Sequence, residues 1–319
     1  MNEFDLIRRY FANHKPQRKE VVCGIGDDAA ILDVPIDQQL IITVDTLIEG
    51  IHFPKDTSPQ DIGYKSLAVN ISDLAAMGAT PAWITLAITL PKAEEKWLHQ
   101  FSDGLFSLAE MYDMDLIGGD TTKGPLTITI QAHGFVPKGK AITRSGAQPG
   151  DLIYVTNTIG DAGLALQHVH NKLKLQLPYV DKILACLNRP QPRIKEGLLL
   201  RGNATAMIDI SDGLAADLGH ILQRSGVGAV VDVDRIPCST ALLNSVSKEA
   251  AYHLALTSGD DYELCFTLPT NLQAQVEKIM ADQGCSITCI GHTQATHKLE
   301  LLLNNQPFVL HNKGYLHFV

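Results

Sequence analysis

Two periodicities divide the chain. Short runs rich in β-branched residues, at positions 40–44, 126–130, 152–155 and 229–233, read as strands. Between them, apolar residues return every three to four positions at 60–77, 92–112, 162–169, 214–223 and 271–282. Each of these segments closes near glycine or polar turn residues, which predicts helices. Positions 1–11 alternate charge and bulk too finely for the apolar core of a secretory signal and predict an amphipathic helix. Strands and helices interleave, so the class is mixed α and β. Turn formers cluster at 137–150, through Lys138-Gly139-Lys140 and Gln148-Pro149-Gly150-Asp151, and divide the chain into expected domains 1–138 and 149–319.

Length and composition agree with this division. A chain of 319 residues buries a full core and fits about two domains. With 45% hydrophobic and 19% charged residues, long disordered stretches are not expected. The most apolar run, 83–90, lies between Pro81 and Pro91 and falls far short of the ~20 residues a bilayer span needs, so no membrane segment is expected. A net charge of -9 without a basic stripe argues against nucleic acid. Cysteines at 23, 186, 238, 265, 285 and 289 form no Cys-x-x-Cys pair and read as reduced thiols in a cytoplasmic protein.

The chemistry-bearing signal is a repeated form in which small or apolar residues run into aspartate. It occurs in Gly24-Ile25-Gly26-Asp27-Asp28, Thr43-Val44-Asp45, Asn70-Ile71-Ser72-Asp73, Gly118-Gly119-Asp120, Asp209-Ile210-Ser211-Asp212 and Ser258-Gly259-Asp260-Asp261. Carboxylates at the ends of core strands need water or cations, and hard cations prefer oxygen ligands. Each segment alone also reads as something plainer. Ser72-Asp73 and Ser211-Asp212 precede helical patterns and could cap them, and the glycine segments could be turns. The first of these two strings, Ile71-Ser72-Asp73-Leu74-Ala75-Ala76, is echoed by Ile210-Ser211-Asp212-Gly213-Leu214-Ala215-Ala216. Other phosphate sites fail on residues: Gly24-x-Gly26 lacks a third glycine and runs into two acids, and the chain has no Gly-x-x-x-x-Gly-Lys-Ser/Thr loop.

The order of the segments is more specific than any one of them. Gly24-Ile25-Gly26-Asp27-Asp28-Ala29, Val44-Asp45-Thr46, His52-Phe53, the stretch 64–79, Gly118-Gly119-Asp120-Thr121, Thr143-Arg144-Ser145-Gly146, Asp209 to Leu214 and Asp260-Asp261-Tyr262-Glu263 follow one another along essentially the whole chain. In this the sequence closely resembles the thiamine-monophosphate kinase family, within the superfamily of aminoimidazole-ribonucleotide synthetase and selenophosphate synthetase. The resemblance implies an α/β N-terminal domain contributing to a dimeric β-barrel and an α+β C-terminal domain. It also implies a homodimer with its active site in the cleft between domains, ATP and thiamine monophosphate as substrates, and several magnesium ions per active site. By the same resemblance Asp28, Thr43, Val44 (through its carbonyl), Asp45, Asp73, Asp120, Asp209 and Asp212 are expected at metal, Gly119, Asp120, Arg144 and Ser211 at ATP, and His52 and Asp260 at thiamine phosphate. Two positions depart from the family pattern: Asp260 stands where glutamate is common, and Asn312 where an aromatic residue often precedes Lys-Gly-Tyr. A phosphomonoester with a second pKa of about 6 is already ionised at neutral pH, so no general base is expected beyond the metal and phosphate ligands.

Overall fold

The computed structural model describes residues 3–12, 17–175, 178–310 and 314–315. Asn312 lies outside them. Two compact units form, Met1–Leu74 with Ala79–Gly139, and Ala75–Gly78 with Lys140–Val319.

The elements of the first unit are α1 (Glu3–Tyr10), β1 (Val21–Cys23), β2 (Ile31–Leu32), β3 (Gln38–Ile48), α2 (Pro59–Ala76), β4 (Thr80–Leu90), α3 (Glu95–Met111), β5 (Asp115–Lys123) and β6 (Thr127–Pro137). Four strands make a sheet in the order β3-β6-β4-β5, with β4 and β5 parallel and the other pairs antiparallel. The expected amphipathic helix is α1, which buries Leu6 and Tyr10 and sets Arg9 on Glu95 of α3. Helix α2 is buried on nearly every side, with Lys65, Ser66, Asn70 and Ser72 enclosed as well as Leu67, Ile71 and Leu74. Such a helix belongs inside a domain. It crosses α3 closely enough that a Cβ on Gly63 would overlap the Phe101 carbonyl, and one on Gly104 would overlap the Gln60 carbonyl. The apolar run between Pro81 and Pro91 is β4, the strand between β6 and β5, with Trp83, Ile84 and Ile88 fully buried.

The second unit contains β7 (Leu152–Thr156), α4 (Asp161–Val169), α5 (Val180–Asn188), α6 (Ile194–Leu200), β8 (Ala206–Asp209), α7 (Leu214–Ser225), β9 (Gly228–Asp232), α8 (Thr240–Ser245), α9 (Lys248–Thr257), β10 (Leu264–Leu268), α10 (Gln273–Asp282), β11 (Ile287–Gln294), β12 (Leu299–Leu303) and β13 (Gln306–Pro307). The sheet order is β13-β12-β9-β11-β7-β10-β8, antiparallel except for β9 and β12. Its core joins Ile153, Val155, Ile208, Leu218, Leu256 and Ile290. The mixed α/β, two-domain class expected from periodicity is what forms. Among the described residues no helix is long and apolar enough to cross a membrane.

Candidate active site

The acid segments do not share one local structure. Only Asp209 ends a strand. Asp45 and Asp120 lie within β3 and β5, Asp73 within the last turn of α2, and Asp28, Asp212 and Asp260 in loops. The capping role considered for Ser72-Asp73 is therefore wrong, because helix precedes and follows them. An acid near a helix C-terminus meets the negative end of the dipole, which opposes stability.

In the first unit, β3 and α2 bring three expected ligands together. The Thr43 hydroxyl donates to Asp73 Oδ2 in a short contact. Asp45 faces the same helix, where Asn70 Oδ1 accepts its N–H at 3.1 Å and Asn70 Nδ2 donates to the Ser66 carbonyl at 3.0 Å. Burial, and after it the charge of Asp73, pushes the Asp45 carboxyl up to about 7. These two acids repel one another across a partly buried gap. Val44 points the other way and is 55% exposed, so its side chain takes no part in the group. His52 Nδ1 accepts the Ile48 N–H at 3.0 Å, which leaves Nε2 as the ring's donor. Lys65, which carries no signal in the sequence, is buried and donates to the His52 carbonyl at 3.2 Å.

A cleft of about 650 Å3 opens in the same unit between Gly24–Asp28 and Gly118–Thr121, with Phe11 and Leu86 among its walls. Its size suits a nucleotide-sized ligand. Asp28, Gly119 and Asp120 all line it and all are exposed.

In the second unit, the turn after β8 carries Ser211 and Asp212, and it is fastened to the loop 259–262. Asp260 donates its N–H to the Ser211 carbonyl at 2.8 Å, and Tyr262 donates its own to Ile210 at 2.8 Å. Both Asp260 and Tyr262 hold positive φ, 60° and 50°, a region residues other than glycine seldom adopt. Asp261 serves the scaffold: its two carboxylate oxygens accept the Gly160 N–H at 2.9 Å and cap α4. Glu263 is paired bidentately with Arg193 at 2.5 and 2.7 Å. Arg144 is exposed on a loop whose amides, Gly146 and Ala147, donate to Ser225 Oγ. Ser225 ends α7 and Ser211-Asp212 precede its start, so about 18 Å of helix separates the Arg144 loop from that turn.

No group of three or more His, Cys, Asp or Glu side chains among the described residues is arranged to hold a metal ion. The Thr43–Asp45–Asp73 set nevertheless fits a hard cation of the magnesium type, which uses one or two carboxylates and completes its shell with water and substrate oxygens. Sequence reasoning missed Asn70 and Lys65. Each is an ordinary polar residue until a neighbouring element is placed beside it.

Residues 26–136 match the family of AIR synthase related protein, N-terminal domain, and 148–304 that of AIR synthase related protein, C-terminal domain. The chain is 49% identical over 318 residues to Thiamine-monophosphate kinase of Escherichia coli K12, covering 99% of this chain and 98% of the relative. It superposes on the crystal structure of Thiamine-monophosphate kinase from Stenotrophomonas maltophilia K279a with a TM-score of 0.88, at 45% identity and over 94% of this chain and 96% of that one. Against AaThiL complexed with AMPPCP and TMP the TM-score is 0.78 at 29% identity, over 99% of this chain and 96% of that one.

Proposed function

This chain belongs to the thiamine-monophosphate kinase family of AIR synthase related proteins, and from that premise we propose how its residues carry out ATP-dependent phosphorylation of thiamine monophosphate to thiamine diphosphate. The observation that carries the reading is the confrontation of Asp45 with Asp73 beside the Thr43 hydroxyl, a site built for positive charge. The relative solved with AMPPCP and TMP supports the choice of substrates.

In this reading the phosphoryl group passes in line from ATP to the ionised phosphate of the acceptor, so positioning and charge neutralisation supply the catalysis. Several magnesium ions, when bound, neutralise the anionic reactants. Asp28, Thr43, the Val44 carbonyl, Asp45, Asp73, Asp120, Asp209 and Asp212 are proposed to hold them. Gly119, Asp120, Arg144 and Ser211 are proposed to meet ATP, and the 650 Å3 cleft that Gly119 and Asp120 line in the first unit is of a size for a nucleotide. His52, through Nε2–H, and Asp260 are proposed to meet thiamine phosphate.

Residues 1–138 then form the metal-binding, ATP-binding and dimerisation domain, and 149–319 the α+β domain of a cytoplasmic homodimer. The dimer is supported by β3, an outer strand of eleven residues on which Ile42 and Val44 are more than half exposed; a long apolar edge of this kind calls for a partner. Incubation with ATP, magnesium and thiamine monophosphate should yield ADP and thiamine diphosphate in equal amounts by chromatography. Nucleotide binding without product would instead make the protein a sensor built on the same fold, and turnover in EDTA would remove the metal from the account.

A further inference from the structure

Helix α7 begins with an anion of its own. Asp217 sits in its first turn, 2% exposed, and its Oδ2 alone accepts the N–H groups of Ser211, Asp212 and Gly213 at 3.1, 3.0 and 3.1 Å. Successive amides converging in this way at a helix N-terminus form the nest that often receives a ligand phosphate. Here a side chain of the same helix fills it. The carbonyls of the turn are committed too, Ile210 to the Tyr262 N–H, Ser211 to the Asp260 N–H, and Asp212 to the Tyr315 N–H at 3.1 Å. With its amides on Asp217 the turn has no N–H left for a ligand phosphate, which leaves the Ser211 hydroxyl and the Asp212 carboxylate as the side chains that can engage one, directly or through a cation.

We propose that Asp217 is a positioning residue of the kinase, filling the α7 amide nest so that the turn engages nucleotide phosphates through the Ser211 hydroxyl and a cation on Asp212, and not through its backbone. This rests on the reading of Asp212 as a magnesium ligand. The role requires an acceptor oxygen at one place, not a negative charge. The amide oxygen introduced by Asp217→Asn meets that requirement, whereas the longer arm of glutamate displaces it.

The test uses the full chain and the variants Asp217→Ala, Asp217→Asn and Asp217→Glu, read by hydrogen exchange of the amides at 211–213 and by the magnesium concentration that half-saturates turnover. Loss of a support of this kind costs roughly 10–100-fold in metal affinity. In Asp217→Ala the three amides should lose protection, with half-saturation shifted about tenfold or more upward, the range for lost outer supports. Asp217→Asn should stay within about twofold of wild type, because its oxygen accepts the same three amides. Asp217→Glu should resemble alanine. Should the alanine variant not fold, the asparagine and glutamate variants decide between position and charge. A folded Asp217→Ala with protected amides and a wild-type magnesium requirement overturns the proposal, as does a glutamate variant better than the asparagine one. Magnesium-independent turnover of the wild type would sink the metal reading itself, while the exchange measurements would still report whether Asp217 holds the turn.

Discussion

Ile-Ser-Asp occurs twice in this chain and folds in two ways. At 71–73 it lies inside α2, near the C-terminal end, with Ile71 and Ser72 fully buried and Asp73 turned toward β3. At 210–212 it is the turn that leads from β8 to α7, and Gly213 stands where the first copy has Leu74. Gly213 takes φ 115°, and a Cβ there would stand 2.9 Å from the Thr257 backbone. The chain passes through this glycine from the turn after β8 into α7, and the three amides of the turn, which have no intrahelical acceptor, are gathered by Asp217.

The two sites treat their acids oppositely. In the second unit Asp217, Asp261 and Glu263 are answered by backbone N–H groups or by Arg193. In the first, burial and after it the charge of Asp73 push the carboxyl of Asp45 up. Carboxylates bound to backbone amides or to arginine stabilise a frame; the Asp45–Asp73 pair, with the Thr43 hydroxyl on Asp73, is proposed to hold a cation. Removing the latter should therefore raise stability as it destroys function.

The largest effect expected from that contrast is on catalysis. Asp73→Asn should lower turnover by about a thousandfold, as losing one preorganised electrostatic group does, while its thermal midpoint without metal stays level or rises. A steady-state assay beside a thermal melt checks both. Arg193→Ala is the counterpart in the second unit. It leaves Glu263, whose side chain is 5% exposed, without its cation, and should cost about 3–5 kcal/mol in a denaturant titration. If Arg193→Ala were neutral and Asp73→Asn strongly destabilising, the contrast would be reversed.

Gly213→Ala tests the glycine itself. Forcing a side chain into that region costs about 1–3 kcal/mol, and moving the turn carries Asp212 away, so both midpoint and turnover should fall. The effect of pH is smaller. Asp45 and Asp217 both have carboxyls raised from 3.8 to about 7, burial being the first cause in each. A raised folded pKa gives stability that is fully present below the unfolded value of 3.8 and is lost as pH rises through 7. In EDTA the midpoint should decline between pH 5 and pH 8 by a few degrees, and Asp45→Asn should flatten part of that decline. A midpoint rising over this window in wild type, with no change of slope in Asp45→Asn, would contradict the assignment.

Much of this arrangement is legible in the sequence. The strands at 40–44 and 229–233 and the helices at 60–77 and 214–223 stand within a few residues of β3, β9, α2 and α7, because each buries one face or is bounded by turns. The strand β4 carries its own alternation, with Ile84, Leu86, Ile88 and Leu90 buried and Thr85, Ala87 and Thr89 between them less so, but the continuous apolar run from Ala82 to Ile84 at its start masks it. The acids are visible as a series, but their settings are not. Ser72-Asp73 and Ser211-Asp212 look alike until the first is placed within α2 and the second after β8, and Asp217 looks like any acid in a first helical turn. What decides their roles is which groups on other elements face them, and that is a property of the fold.

The most direct test of the opposed acids is the thermal midpoint of wild type and Asp73→Asn, each measured in EDTA and in saturating magnesium. The expected result is a wild type raised by magnesium and an Asp73→Asn variant that starts level or higher and responds much less. An Asp73→Asn variant that starts lower and gains as much from magnesium as the wild type would show that the pair on β3 and α2 is not a cation site.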